Sequence, residues 1–214
     1  MMKFKDLNKD GRITGDDAAY IGETLPKHTG GFSLSGNWKN LDFSAAFTYQ
    51  IGGDVYNATA AHTMAGSKDT GFGQNRLAYI AKAFNYYEVD GNGDLQFVSD
   101  PTRLADLNKN AAYPSYFNEY GITSSQFIED ASYLRLQNLT IGYSLPKAWL
   151  KKIHISKLRV YFTGSNLFCL SGYSGLDPDV NTAPDGSGGF PTPNYDYNAY
   201  PKARTYTFGL NVTF

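Results

Sequence analysis

Alternation of apolar and polar residues, repeated in five stretches and joined by connections that are short and long in turn, constrains this chain most. In Phe32–Trp38, Phe32, Leu34 and Trp38 share one face, and Ser33, Ser35 and Asn37 share the other. Lys39-Asn40 forms a short turn. In Leu41–Gln50 the same face carries Leu41, Phe43, Ala45, Phe47 and Tyr49, against Asp42, Ser44, Thr48 and Gln50. A period of two is the signature of a strand with two different surroundings, and this pair reads as a hairpin. A third strand lies in Tyr133–Leu145, with Leu139, Ile141 and Tyr143 opposed by Asn138, Thr140 and Gly142. Its phase breaks before Asn138, which suggests a bulge, and Pro146 ends it. Leu158–Phe168 and Thr205–Phe214 complete the set.

Strands one and two are joined by about two residues, and strands three and four by roughly a dozen. Between them stand roughly eighty residues, about 51–131, and before the fifth strand roughly thirty-five, about 169–204. Structureless connections of that length are unusual in a compact soluble domain. Barrels of the outer membrane show this asymmetry as a rule, with short periplasmic turns and long extracellular loops. The expected fold is therefore all-β: antiparallel up-and-down strands from the C-terminal part of a transmembrane β-barrel. Five strands fall short of the roughly eight that close such a barrel, and open edges in lipid are prohibitive. The chain is thus expected to be a fragment whose missing strands precede Met1. Its first stretch, Met1-Met2-Lys3-Phe4-Lys5-Asp6, has no apolar core and is no signal peptide.

Composition agrees. Aromatic residues make up 15%, with 17 Tyr, 14 Phe and 22 Gly, while charged residues reach only 18%. Tyr, Phe and Gly suit strands and turns. A net charge of -1 and the lack of a basic stripe argue against nucleic acid. No run approaches the ~18 apolar residues of a membrane helix, a test that barrel strands escape.

Asp6-Leu7-Asn8-Lys9-Asp10-Gly11-Arg12-Ile13-Thr14-Gly15-Asp16-Asp17 fits a calcium loop of about twelve positions. Asp6, Asn8 and Asp10 stand at positions one, three and five, and Gly11 at the sharp turn. Arg12 would give its backbone carbonyl, and Asp17 closes the loop. Asp in place of Glu at the closing position shortens the reach and resembles the calcium loop of dockerin modules. Ile13 suits a small hydrophobic anchor. Asp90-Gly91-Asn92-Gly93-Asp94 echoes this loop, but Leu95 takes the glycine position, so it reads as a turn.

Nothing catalytic is visible. His28, His62 and His154 lack metal-ligand spacing, and Cys169 is the only cysteine and has no base partner. Gly71-Phe72-Gly73 is too short for a phosphate loop. Asp177 and Asp179 sit in a Gly/Pro-rich loop as turn formers. Tyr173, Tyr195, Tyr197 and Tyr200 in the same loop either pack on one another or stack on sugars.

Three stretches resemble the SusC/RagA family of TonB-linked outer-membrane proteins. They are Ala131–Pro146 (ASYLRLQNLTIGYSLP), Leu158–Phe168 (LRVYFTGSNLF) and the ending Tyr200–Phe214 (YPKARTYTFGLNVTF). The Asp6–Asp17 loop followed by a Gly-Phe hairpin is similar to the same family's order. The resemblance covers nearly the whole chain, least of all at 51–131. It implies a large barrel of about twenty-two strands with an N-terminal plug. It also implies import of glycans or oligopeptides, TonB as the source of energy, and a SusD-like surface lipoprotein as partner. On this reading residues 1–30 are an extracellular segment holding the calcium loop, and 31–214 are the last five barrel strands. Phe32, Leu34, Phe43, Phe47, Leu139, Ile141, Phe208, Leu210 and Val212 face outer-membrane lipid. Ser33, Ser35, Ser44, Thr140, Thr207 and Asn211 face the lumen. The rival is a secreted calcium-dependent β-sandwich that binds carbohydrate or mediates adhesion.

Overall fold

A computed structural model of the chain describes residues 4–64, 78–113, 115, 124–151, 154–182 and 194–214. Gly71, Phe72 and Gly73 lie outside the described residues, as does the side chain of His62. The strands are β1 (His28–Trp38), β2 (Leu41–Ile51), β3 (Asp54–Asn57), β4 (Tyr87–Val89) and β5 (Leu95–Phe97), then β6 (Ile128–Asp130), β7 (Tyr133–Ser144), β8 (Lys157–Ser171), β9 (Tyr195–Asp196) and β10 (Thr205–Thr213). Short helices α1 (Ala58–Met64), α2 (Pro101–Leu107) and α3 (Lys147–Leu150) interrupt them. No helix among the described residues is long and apolar enough to cross a membrane.

The long strands form one five-stranded sheet in the order β1-β2-β7-β8-β10, with every neighbouring pair antiparallel. All five alternating stretches of the sequence are in it, most of them longer than the alternation alone indicated. Register settles the faces. Phe32 pairs with Phe47, Leu34 with Ala45, Phe43 with Ile141, Ile141 with Phe162, and Phe162 with Phe208. Directly paired residues project on the same side, so these apolar residues form one continuous band. Ser35 pairs with Ser44, Ser44 with Thr140, Thr140 with Thr163 and Thr163 with Thr207, which gives the other face a row of hydroxyls. Phe208 and Asn211 consequently point to opposite faces.

The irregularity before Asn138 is a bulge at Gln137. Ala46 pairs with Asn138 but Phe47 pairs with Leu136, so Gln137 is extra. Strict alternation would have placed Arg135 in the apolar band. The inserted residue reverses the phase and sets Arg135 opposite Thr48 and Cys169 on the polar face.

No residue of β1 is buried, on either face. A β-sandwich would bury one face of each strand, and this sheet does not.

Two compact units are distinguishable. Gly22–Asn57 with Ile128–Phe214 holds the large sheet, and Met1–Ile21 with Ala58–Phe127 holds the rest. In the first unit a small sheet, β6-β3-β9, lies at the long-connection end of the strands. Its core is Val55, Ala131, Tyr173 and Val180, packed by Ala199. In the second unit β4 and β5 make a hairpin. Asp90 closes it by accepting the N–H groups of Asn92 and Asp94, each at 2.9 Å. Those backbone donors, Asp94 first, hold the Asp90 carboxyl below the usual range, so the echo of the calcium loop is a hairpin turn.

Candidate functional site at the polar face and the loop end

The polar face carries few charges within the strands, and Asp42, Arg159 and Arg135 there each have an ion-pair partner. Arg159 of β8 reaches across β7 to Asp42 of β2, with its Nε 2.9 Å from Oδ1 and its Nη2 on Oδ2. The crossing is open because Gly142 lies between them. A Cβ there would sit 2.2 Å from the Arg159 guanidinium. Tyr161 covers Gly209 in the same way on the next strand, and Arg159 stands 5.1 Å from the Tyr161 ring centre. Thr140 and Thr163 share a hydrogen bond of 3.0 Å farther along.

The opposite face is apolar and open, with Leu34 at 56%, Phe208 at 79% and Leu210 at 65% exposure. Phe32 stacks on Phe47 at 4.8 Å, and Phe162 meets Phe208 at 5.1 Å. Toward the short-connection end, Trp38 is exposed with Lys39 Nζ 5.0 Å above its ring.

Polar groups at the long-connection end are paired with one another, and Asn57, Arg135, Asp177 and Asp196 among them are buried. Asn57 donates to Glu129 Oε1 at 3.0 Å, and Glu129 also accepts the Ser174 N–H at 2.8 Å and its hydroxyl at 2.7 Å. The Tyr173 hydroxyl donates to Asp196 at 2.5 Å. Burial, and then the Asp196 carboxylate, push that phenol well above its ordinary value. Arg135 Nη2 donates to Asp177 Oδ1 at 2.6 Å, and Lys202 pairs with Asp179. Asp177 is a turn former, since Oδ1 also accepts the Asp179 N–H at 3.0 Å, but nothing local to it signals its buried ion pair. The off-phase position of Arg135 was the available signal. Among the loop tyrosines, Tyr173 is buried and Tyr195 lies 5.4 Å from Tyr56, so these pack within the loop, whereas Tyr200 is 90% exposed.

The Asp6–Asp17 segment forms a tight loop with Gly11 at φ 79°. Asp6 accepts the Lys9 N–H at 2.6 Å and the Gly11 N–H at 2.8 Å. Asn8 accepts the Asp10 N–H at 3.0 Å and donates to Asp10 Oδ2 at 3.1 Å. Asp10 accepts the Arg12 N–H at 2.8 Å. Asp17 accepts from Thr14 and Leu7, both at 2.8 Å, and these donors hold its carboxyl below the usual range. Among the described residues no group of three or more His, Cys, Asp or Glu is placed to hold a metal ion. Ile13 is 53% exposed and does not act as an anchor.

A single antiparallel sheet, apolar on one face and hydroxyl-rich on the other, with long connections at one end, defines a sector of an outer-membrane-type β-barrel. No family model matches the chain. It is 32% identical over 212 residues to TonB-dependent receptor P3 of Formosa agariphila, covering 99% of this chain and 19% of that protein. It is 26% identical to TonB-dependent receptor SusC of Bacteroides thetaiotaomicron, again over 99% of this chain, and covers 17% of SusC. The solved structure of the RagAB peptide transporter superposes with a TM-score of 0.66 at 26% identity, over 95% of this chain and 19% of that one. Over nearly its whole length the chain is thus similar to TonB-dependent receptors, SusC among them, and it spans about a fifth of the length of the curated relatives it matches.

Proposed function

We propose that this chain is a wall sector of an outer-membrane importer driven through TonB, with no enzymatic role of its own. The observation that carries the reading is the sheet with two unlike faces, in a chain that aligns over 99% of its length with TonB-dependent receptors. The apolar band suits lipid and the hydroxyl row suits a wet lumen. The short connections then lie at the periplasmic rim and the long ones outside the cell. Cargo is a glycan or an oligopeptide, a SusD-like lipoprotein covers the mouth, and TonB acts through parts of the receptor beyond this chain. The name TonB-dependent receptor carried by SusC supports the role of TonB, and that of the RagAB peptide transporter supports a peptide cargo.

Fractionation of the native host tests it. The chain is expected in the outer membrane, migrating differently on gels before and after heating. Recovery in the soluble fraction would overturn the proposal. Uptake of labelled oligosaccharide against labelled oligopeptide by cells with and without the gene separates the cargo classes.

We also propose that Asp6, Asn8, Asp10, Asp17 and the Arg12 carbonyl bind calcium. The ligand spacing and the left-handed turn at Gly11 support this. Binding requires the carboxylates to draw together around the ion from their present backbone partners. Calorimetric titration with calcium is expected to show weak binding that Asp6→Ala abolishes. Equal heats from both proteins would refute the site.

A further inference from the structure

We propose that residues 172–182, which follow β8, are a strap folded inward over the polar face of the sheet at its long-connection end, held by a latch between Arg135 and Asp177. The inference rests on the importer reading, in which this face lines the lumen and the strap narrows its outer mouth.

Direction comes first. Arg135 shares its face with Thr48 and Cys169, because the Gln137 bulge turns it there. Asp177 lies in the chain that leaves β8 at Ser171. Asp177 Oδ1 accepts from Arg135 Nη2 at 2.6 Å, so the chain that leaves β8 brings this carboxylate to the polar face at the loop end of the sheet rather than away from it. Both side chains are enclosed by the fold, at 5% and 7% exposure.

The strap's other ties run to the loop-end layer, with Ser174 to Glu129, Tyr173 to Asp196 and Val180 in the small core, and to the segment before β10, with Asp179 to Lys202. Among the ion pairs of the described residues, Arg135–Asp177 alone fastens the strap to a long strand. The latch is also incomplete. Arg135 binds through Nη2, while its Nε is buried without a partner. A two-pronged Arg–carboxylate pair would satisfy both nitrogens. Release hydrates the orphaned N–H, which offsets part of the lost attraction and makes this the weak point of the strap.

Cys169 gives a built-in readout, since it sits opposite Arg135 and is half-buried. In outer-membrane vesicles holding the full receptor, maleimide labelling of Cys169 is followed on its own peptide by mass spectrometry. Asp177→Asn, which keeps the side-chain shape, is expected to raise the labelling rate by at least about tenfold while heat-modifiability stays native. Lys202→Gln, which frees Asp179 but leaves the latch, is expected to label at the native rate. A native rate in D177N would overturn the proposal, as would equal acceleration in both variants. Should D177N not assemble, hydrogen exchange on the unaltered receptor decides. Residues 172–182 are expected to exchange as one slow unit, and fast, independent exchange refutes the strap. Labelling reads strap position whether or not anything is imported. A receptor that labels as expected but imports nothing would refute the import reading alone.

Discussion

β1 buries none of its side chains, whereas Val55, a few residues beyond β2, is fully enclosed. The two regions belong to one compact unit but are held by different forces. The long strands are held by backbone ladders and cross-strand pairs such as Phe32 with Phe47. Among the described residues no protein layer covers their apolar face, which suits a hydrocarbon surrounding. The loop-end layer is built for water. It has a small core around Val55 and Tyr173, and polar ties such as those of Glu129 with Asn57 and Ser174. On the importer reading proposed above, one sequence folds against two solvents. A residue's burial here reports which solvent surrounds it more than how much it stabilises.

The largest expected effect breaks the symmetry between the faces. In the receptor reconstituted in lipid, Ile141→Arg is expected to cost ~2–4 kcal/mol, read by denaturant titration, and Thr140→Arg on the adjacent position much less. Equal losses would mean that the two faces see the same solvent. The loop-end layer is expected to answer to ordinary core physics. Val55→Ala removes two methyl groups from an enclosed site and is expected to cost about 2 kcal/mol locally, seen as faster hydrogen exchange across β3, β6 and β9. Unchanged exchange there would show that the polar ties alone hold the layer.

The Asp42–Arg159 pair on the polar face sharpens the contrast on a smaller scale. Asp42 and Arg159 keep 31% and 21% of their side chains exposed, so their coupling in a double-mutant cycle is expected at about 1 kcal/mol. A coupling near zero would make the pair incidental to the crossing over Gly142. The smallest effect concerns pH. The Ser132 hydroxyl and N–H hold the Asp130 carboxyl below its ordinary value. A depressed carboxyl stabilises the fold above its unfolded pKa, and that stability is lost as pH falls through the lower folded value. The loop-end layer is therefore expected to loosen slightly below about pH 4. Asp130→Asn is expected to flatten that response in exchange measurements, and an unflattened response would assign the loosening to another group.

The strands were legible because a period of two is local: each side chain's face follows from its neighbours, and a hairpin such as Trp38–Leu41 pairs across a turn of two residues. The bulge was legible only as a lapse in phase. The polar ties were not legible. Arg135 and Asp177 are 42 residues apart, and Asp42 and Arg159 are 117 apart. No local rule couples positions at such distances, and Asp177 in a Gly/Pro-rich stretch read as a turn former alone. The anchor role expected for Ile13 failed for a related reason, since anchoring depends on what packs against the loop rather than on its spacing.

By itself the sequence determined that the chain forms amphipathic antiparallel strands, where the connections are short or long, and which side chains share a face. Each of these is set by nearest neighbours on a pleated backbone. The tertiary structure alone decided that Gln137 is the inserted residue that moves Arg135 out of the apolar band. It also decided that Gly142 opens a path for Arg159, and that the chain after β8 folds back to bury Asp177. Those outcomes depend on register between strands far apart in sequence, which fixes what each side chain meets and which only the assembled sheet specifies.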